Sequence, residues 1–359
     1  MGGGIMGASA LYHLTRIGCT DAVLLERETL ASGSTSKAAG GMRAQFSDEL
    51  NIRIGLECIR RYERFAEEPG GEIELKQWGY LFLLTGSCDR AAFEAGLELQ
   101  RSLGVPSSWL SPDEAQGIVP GLAVDDLVGA TFSPTDGYAT PEACVQGYVS
   151  AAGRAGAEIV QGCAVERIVV EGGRCVGVET AQGPVATERV ILTAGVWTRE
   201  LGETAGVDIP VEGERRYVWF TEPGDEQPEE LPLTIDFESG FYFHREGRGL
   251  LFGGRQRTID GLAPVAAARL PVIAELGVRS GWSGLYENSP DHNAMVGMFD
   301  DPAGLLYATG FSGHGFQQGP VVGEHLAELA LGQALTFDLT PFALERFAEG
   351  GSRPELNVV

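Results

Sequence analysis

Apolar residues recur at helical spacing over residues 5–17, the turn 18–21 follows, and the apolar run Ala22-Val-Leu-Leu25 ends in Glu26. The same spacing predicts a helix over 47–67 with Ser47 as N-cap, and one over 91–103 after an acidic turn near Asp89. Ser111-Pro-Asp-Glu starts a short helix, and a further helix spans 141–153. Strands are predicted at 75–85 and at 130–137, the latter closing in a turn. A β-rich stretch follows at 158–160, 165–170, 175–180 and 190–194. Strands at 211–221, 240–244 and 249–255 suggest a second sheet, interrupted by the Pro/Glu-rich segment 222–233. A helix at 265–276, strands at 280–287, 294–298 and 305–309, and an apolar-faced helix ending at Leu331 complete the pattern.

The order of these elements predicts an α/β, Rossmann-like nucleotide domain interleaved with an α+β, mixed-sheet substrate domain. The first takes residues 1–70, 140–205 and 280–350, and the second takes 71–139 and 206–279. The opening Met1-Gly-Gly-Gly-Ile-Met-Gly7 spells G-x-G-x-x-G with glycines at Gly2, Gly4 and Gly7. Such a loop cradles a pyrophosphate at a helix N-terminus, and Glu26, about 20 residues on, stands where a ribose hydroxyl is held. A solvated strand-end carboxylate is the alternative for Glu26. Only Met1 precedes the loop, so the first strand of the sheet is absent from the pattern. Either an upstream strand exists, or the sheet carries a gap and binds its nucleotide weakly.

Composition narrows the chemistry. With 43% hydrophobic residues the chain can bury a large core. A net charge of −24 argues against nucleic acid and against an anionic membrane surface. No apolar run approaches a membrane span, and no secretory signal precedes the first motif. The six cysteines form no C-x-x-C and have no histidine at ligand spacing. Free thiols, no metal site and a reducing, cytoplasmic setting are expected. Two lysines stand against 24 arginines, a composition bias rather than chemistry.

Two loops carry further chemistry. Residues 30–43 are small and hydroxylated, able to approach a flat ligand and donate from Ser34, Thr35, Ser36 and backbone amides, or else to form a flexible surface loop. Residues 310–319 (GFSGHGFQQG) open a helix, so their amides could face a site of developing negative charge; a Gly-rich turn is the alternative.

The set GGGIMG, LLERETLASGSTSKAAGGMR, LTAGVW, GLYENSPDHNAMVG and ATGFSGHGFQQGPVVGEHLAE resembles the D-amino-acid oxidase/sarcosine oxidase superfamily of FAD-dependent amine oxidoreductases. The stretches GSTSKAAGGMRAQFSDELNIRI, QWGYLFLL and SPTDG bring it nearest the branch of L-proline dehydrogenase and sarcosine oxidase β subunits. The resemblance implies FAD. It places Gly2, Gly4, Gly7, Glu26, Ser34, Thr35, Ser36, Gly40 and Gly41 along the ADP and ribityl part. Val165 would meet the adenine through its backbone or simply pack in the core. Ala194, Gly195 and Trp197 would close that side, while Gly310, Gly313, Gly315 and Phe316 would approach the flavin ring.

Similarity to the family also implies oxidation of a secondary amine or amino acid, such as proline or sarcosine, to the imine by hydride transfer to flavin N5. Arg43 would bind a substrate carboxylate, with Tyr286, His314 and Gln317 shaping the pocket and Tyr242 a weaker candidate. Arg43 as a phosphate ligand or surface charge, Tyr286 as a core residue and Arg255 as a solvated strand end are the plainer alternatives. Relatives that hold flavin covalently use a Cys at the position of Gly284 or a His in the loop of Lys37, so dissociable FAD is expected. Leu251 aligns with the lysine that promotes reaction with O₂ in monomeric sarcosine oxidases, and Gln317 with a carboxylate-binding lysine. Both departures favour a dehydrogenase. The segment 258–265 is shorter than in relatives. The branch also implies an alternative, a flavin-carrying subunit of a heteromeric complex that is inactive without an electron-accepting partner. FAD binding without turnover is a third reading.

Overall fold

The computed structural model describes residues 1–87, 90–224, 227–348 and 350–357. Asp89 and Cys88 lie outside the described residues, as does part of the segment 222–233. The other five cysteines are free thiols, four of them buried.

Parallel pairing joins Val23–Leu25 to Glu158–Val160, and Val190–Leu192 to Leu305–Thr309, which pairs antiparallel with Met295–Met298. No ladder connects these two pieces among the described residues; Met1 and Gly2 do. Gly2 N donates to Leu25 O at 2.9 Å, Met1 N to Ile191 O at 2.7 Å, and Thr193 N returns to Met1 O at 3.0 Å. The glycine loop is thus stitched to both sides of the sheet at the point where it enters the helix Ile5–Arg16. That helix packs against Pro141–Arg154 and Gly315–Leu331, and their apolar faces form the largest core.

The second sheet has eight strands in the order Val278–Asn288, Glu212–Thr221, Gly249–Gly254, Tyr242–Glu246, Leu233–Asp236, Tyr80–Thr85, Leu127–Ser133 and Ser108–Leu110. All neighbours are antiparallel except Leu233–Asp236 against Tyr80–Thr85. One face packs on the helices Pro112–Ile118 and Ile259–Arg269 through the cluster of Leu81, Leu83, Phe243, Phe252 and Leu262.

Several boundaries differ from the sequence reading. The predicted 47–67 helix runs Glu49–Glu63 and is capped by Asp48, which accepts from Leu50 N and Asn51 N; Ser47 instead donates from N and Oγ to Glu355. The strand predicted from residue 75 starts at Tyr80, because Lys76 bridges to Tyr138 and Gly79 turns the chain at φ +93°. The helix expected over 265–276 is two helices, Ile259–Arg269 and Ile273–Leu276, broken at Pro271. Leu233–Asp236, which begins at the last residue of the segment 222–233 and matches no predicted element, is an interior strand buried throughout.

Candidate active site

A cavity of about 660 Å³ runs from the glycine loop to the inner face of the eight-stranded sheet. At one end its wall holds Gly2, Gly4, Glu26, Ser34, Thr35, Gly40, Gly41, Val165, Ala194, Gly195 and Trp197. The Glu26 carboxylate accepts from Gly3 N at 2.6 Å and Glu28 N at 2.7 Å, which fixes it beside the loop. Thr35 Oγ1 accepts from Ile5 N at 3.1 Å, tying the small-residue loop to the first turn of the helix. Ser34 Oγ donates to Leu285 O at 2.6 Å and anchors the same loop to the other sheet. Arg27 stacks 4.2 Å above the Trp197 ring and closes this end.

The far end is built from the sheet and from the start of the helix Gly315–Leu331. Tyr80, Leu233, Ile235, Tyr242, Val218, Arg216 and Tyr286 line it from strands, and Gly313, His314, Gly315, Phe316 and Gln317 from the loop and first turn of that helix. Burial pushes the phenols of Tyr80, Tyr242 and Tyr286 above their ordinary value, so all three keep their protons.

Arg43 lines the cavity beside His314 and Gln317. It is 5% exposed, with its guanidinium 4.0 Å from the Phe46 ring centroid. Nη1 donates to Gln45 O, and Nη2 donates to Asn357 O at 2.6 Å and meets His314 Nε2 at 3.1 Å. A guanidinium only donates, so Nε2 accepts and the imidazole proton sits on Nδ1. Burial, then Arg43 and His292, hold His314 well below its ordinary pKa, which keeps the ring neutral. Gln317 Oε1 accepts from Arg43 N at 2.9 Å, while its Nε2 is buried and meets no partner among the described residues.

Two carboxylates, Asp136 fully buried and Glu287 partly so, stand near this machinery. Asp136 accepts from Ala44 N at 3.1 Å and Gln45 Nε2 at 3.3 Å, and burial raises its pKa to about 7. Glu287 lines the cavity and accepts from Thr309 Oγ1 at 2.9 Å, and burial raises it to about 7 as well.

The DAO model, described as FAD dependent oxidoreductase, matches residues 1–329. The chain belongs to the DAO family of FAD-dependent oxidoreductases. It is 30% identical to FAD-dependent oxidoreductase domain-containing protein 1 of Bos taurus, over 99% of this chain and 85% of that protein. Human mitochondrial sarcosine dehydrogenase is 29% identical over 97% of this chain, which spans 41% of that longer protein. L-proline dehydrogenase from P. horikoshii superposes with a TM-score of 0.91 at 29% identity, covering 98% of this chain and 97% of that one.

FAD is the cofactor of the family, and the residues present fit it. The glycine loop offers a cradle that side chains would fill: a Cβ at Gly3 would fall 2.8 Å from Leu30, and one at Gly4 would fall 3.0 Å from Thr35 Oγ1. At the opposite end the unpartnered Gln317 Nε2 provides a donor on the cavity wall.

Of the residues singled out from the sequence, Gly7, Ser36 and Gly310 lie behind the wall. Gly7 is packed against Gly2 O, Ser36 donates its N–H to Ala31 O at 3.0 Å, and Gly310 turns at φ +71° beside Met295 and Ser289. Arg255 takes its plainer role, donating to Glu238 O at the exposed end of its strand. The sequence reading missed Tyr80, Arg216, Glu287 and the contact from Asn357. Alternation in 211–221 puts Arg216 and Val218 on one face, a signal that could have found the arginine; nothing local could have found Asn357. Among the described residues no cluster could hold a metal, and no helix is long and apolar enough to cross a membrane.

Proposed function

We propose that the protein oxidises a secondary or N-methyl amino acid to the imine and passes the electrons on as a dehydrogenase. The observation that carries this reading is one continuous cavity: its nucleotide half joins a half walled by three neutral phenols and two guanidiniums, Arg43 and Arg216. Bound FAD supplies the acceptor for the hydrogen and electron pair leaving the carbon beside nitrogen. The chain's own residues do the rest. The two guanidiniums favour a carboxylate and disfavour an ammonium, so the amine enters as its free base. Neutral His314 and the amide of Gln317 offer polar contacts without a competing charge, and the apolar wall of Leu233, Ile235 and Val218 excludes water. The relatives include a sarcosine dehydrogenase and a 4-methylaminobutanoate oxidase, whose names both specify methylated amines.

Anaerobic addition of a panel of amino acids and N-methyl amines to the FAD-loaded protein tests this. Carboxylated secondary amines are expected to bleach the flavin band, and a panel with no bleaching amine would sink the reading. The lysine-free position Leu251 supports the dehydrogenase part: it packs with Val218, Phe220 and Tyr242 and brings no positive charge to that position.

A second reading, a flavin-carrying subunit of a heteromeric complex with an electron-accepting partner, draws support from the sheet edge. Val278–Asn288 is the last strand of its sheet and exposes Val278 and Trp282, the latter beside Lys37. Full turnover of the purified chain with an artificial dye acceptor would count against it.

A further inference from the structure

Arginine clasps a carboxylate with two parallel N–H donors, taken either from Nη1 and Nη2 or from Nε and Nη2. In Arg43 both hydrogens of Nη2 are engaged, one by Asn357 O and one by His314 Nε2, and one hydrogen of Nη1 goes to Gln45 O. Both forks need Nη2, so neither is free.

Arg216 is placed differently. It sits on Glu212–Thr221 directly opposite Gly284 of the neighbouring strand, which brings no side chain of its own, and Lys37 packs over that glycine. Its guanidinium stands 5.3 Å from the centroid of the Tyr286 ring. Nη2 has one anionic contact, Glu214 Oε2 at 3.2 Å, and the same oxygen accepts from Asn288 Nδ2 at 3.0 Å. Its Nε is shielded from solvent and meets no acceptor among the described residues. Both Arg216 and Tyr286 line the far half of the cavity. A buried donor of a charged group left without a partner is costly, and an incoming acceptor relieves that cost.

We propose that Arg216, steadied by Glu214 and Asn288, binds the substrate's carboxylate, and that Arg43 is a positioning residue holding His314, Gln317 and the C-terminal segment. This rests on the amine-oxidation reading above. The ligand class is a small amino acid whose carboxylate lies against the Tyr286 ring with its nitrogen deeper in the cavity.

The test uses the FAD-loaded protein and tetrahydrofuran-2-carboxylate, which has the shape of proline but no oxidisable amine, beside its neutral carboxamide. Binding is read as the perturbation of the flavin absorbance band, without turnover. The wild type is expected to prefer the carboxylate. Arg216→Met should weaken carboxylate binding about thirtyfold while changing the carboxamide less than about threefold, and Arg216→Lys should recover part of the loss. Arg43→Met should weaken both ligands alike, because it loosens the wall they share. No carboxylate preference in the wild type, a preference unchanged in Arg216→Met, or a selective loss confined to Arg43→Met would each overturn the assignment. Failure of the amine-oxidation reading looks different: no amine bleaches the flavin, yet the carboxylate preference and its dependence on Arg216 remain measurable.

Discussion

Gly284 lies flat against Lys37: a Cβ added at Gly284 would stand 2.5 Å from the Cβ of the lysine. The two positions that the resemblance marks for a covalent flavin link therefore touch in this fold, and neither carries a Cys or a His. FAD is expected to leave the polypeptide completely on acid or heat denaturation. A yellow band that stays with the denatured chain on a gel would contradict this. Gly284→Ala should destabilise by roughly 1–3 kcal/mol through overpacking, read as a lowered melting temperature.

Gly7→Ala tests the nucleotide loop. The new methyl would fall 2.0 Å from Gly2 O and 2.9 Å from Thr193 Oγ1, backbone and seam atoms that hold Met1 and Gly2 in place. Purified protein is expected to carry little FAD and to melt earlier, by about 1–3 kcal/mol. Gly117→Ala, where a methyl meets nothing within 4 Å, is the control and should be neutral or slightly stabilising. Equal FAD content in the two variants would remove the role given to Gly7.

Asp136 sets a pH dependence. Its pKa rises from an ordinary 3.8 to about 7 because the carboxyl is fully buried. A carboxyl with a raised folded pKa binds its proton more tightly folded than unfolded. Its contribution is complete below about pH 4 and is lost as pH rises through about 7. The loss is up to roughly 4 kcal/mol, at about 1.4 kcal/mol per pH unit. Denaturant midpoints of the wild type should fall over that window, and Asp136→Asn should flatten the fall. An unchanged slope in the variant would assign the titration elsewhere, Glu287 being the next candidate.

Oxygen should be a poor acceptor. Leu251 is 4% exposed and packed among apolar side chains, so nothing there stabilises developing superoxide. With the amine that reduces the flavin best, turnover in air should be at least about tenfold slower than with a dye acceptor, a barrier difference of ~1.4 kcal/mol. Hydrogen peroxide formed as fast as the dye is reduced would overturn the dehydrogenase assignment.

The sequence by itself determined what depends on local spacing. Gly2, Gly4 and Glu26 have the spacing of a phosphate loop and its strand-end acid and line one end of the cavity, and the motif at 310–319 supplies part of the other end. The family, FAD and most helices were within reach for the same reason. Tertiary structure decided what depends on contacts between distant segments. Asn357 O reaches Arg43 across 314 residues and engages the nitrogen that both carboxylate forks require. Arg216 acquires its place only when Glu212–Thr221 pairs in register with Val278–Asn288, bringing Gly284 opposite and Tyr286 alongside. Leu233–Asp236 is too short to show a pattern in sequence and is an interior strand, because Tyr80–Thr85 and Tyr242–Glu246 supply hydrogen bonds on both its edges. A guanidinium's availability is set by its acceptors, and two of the three around Arg43, Gln45 O and Asn357 O, are backbone oxygens that any residue could carry, so no sequence pattern marks them.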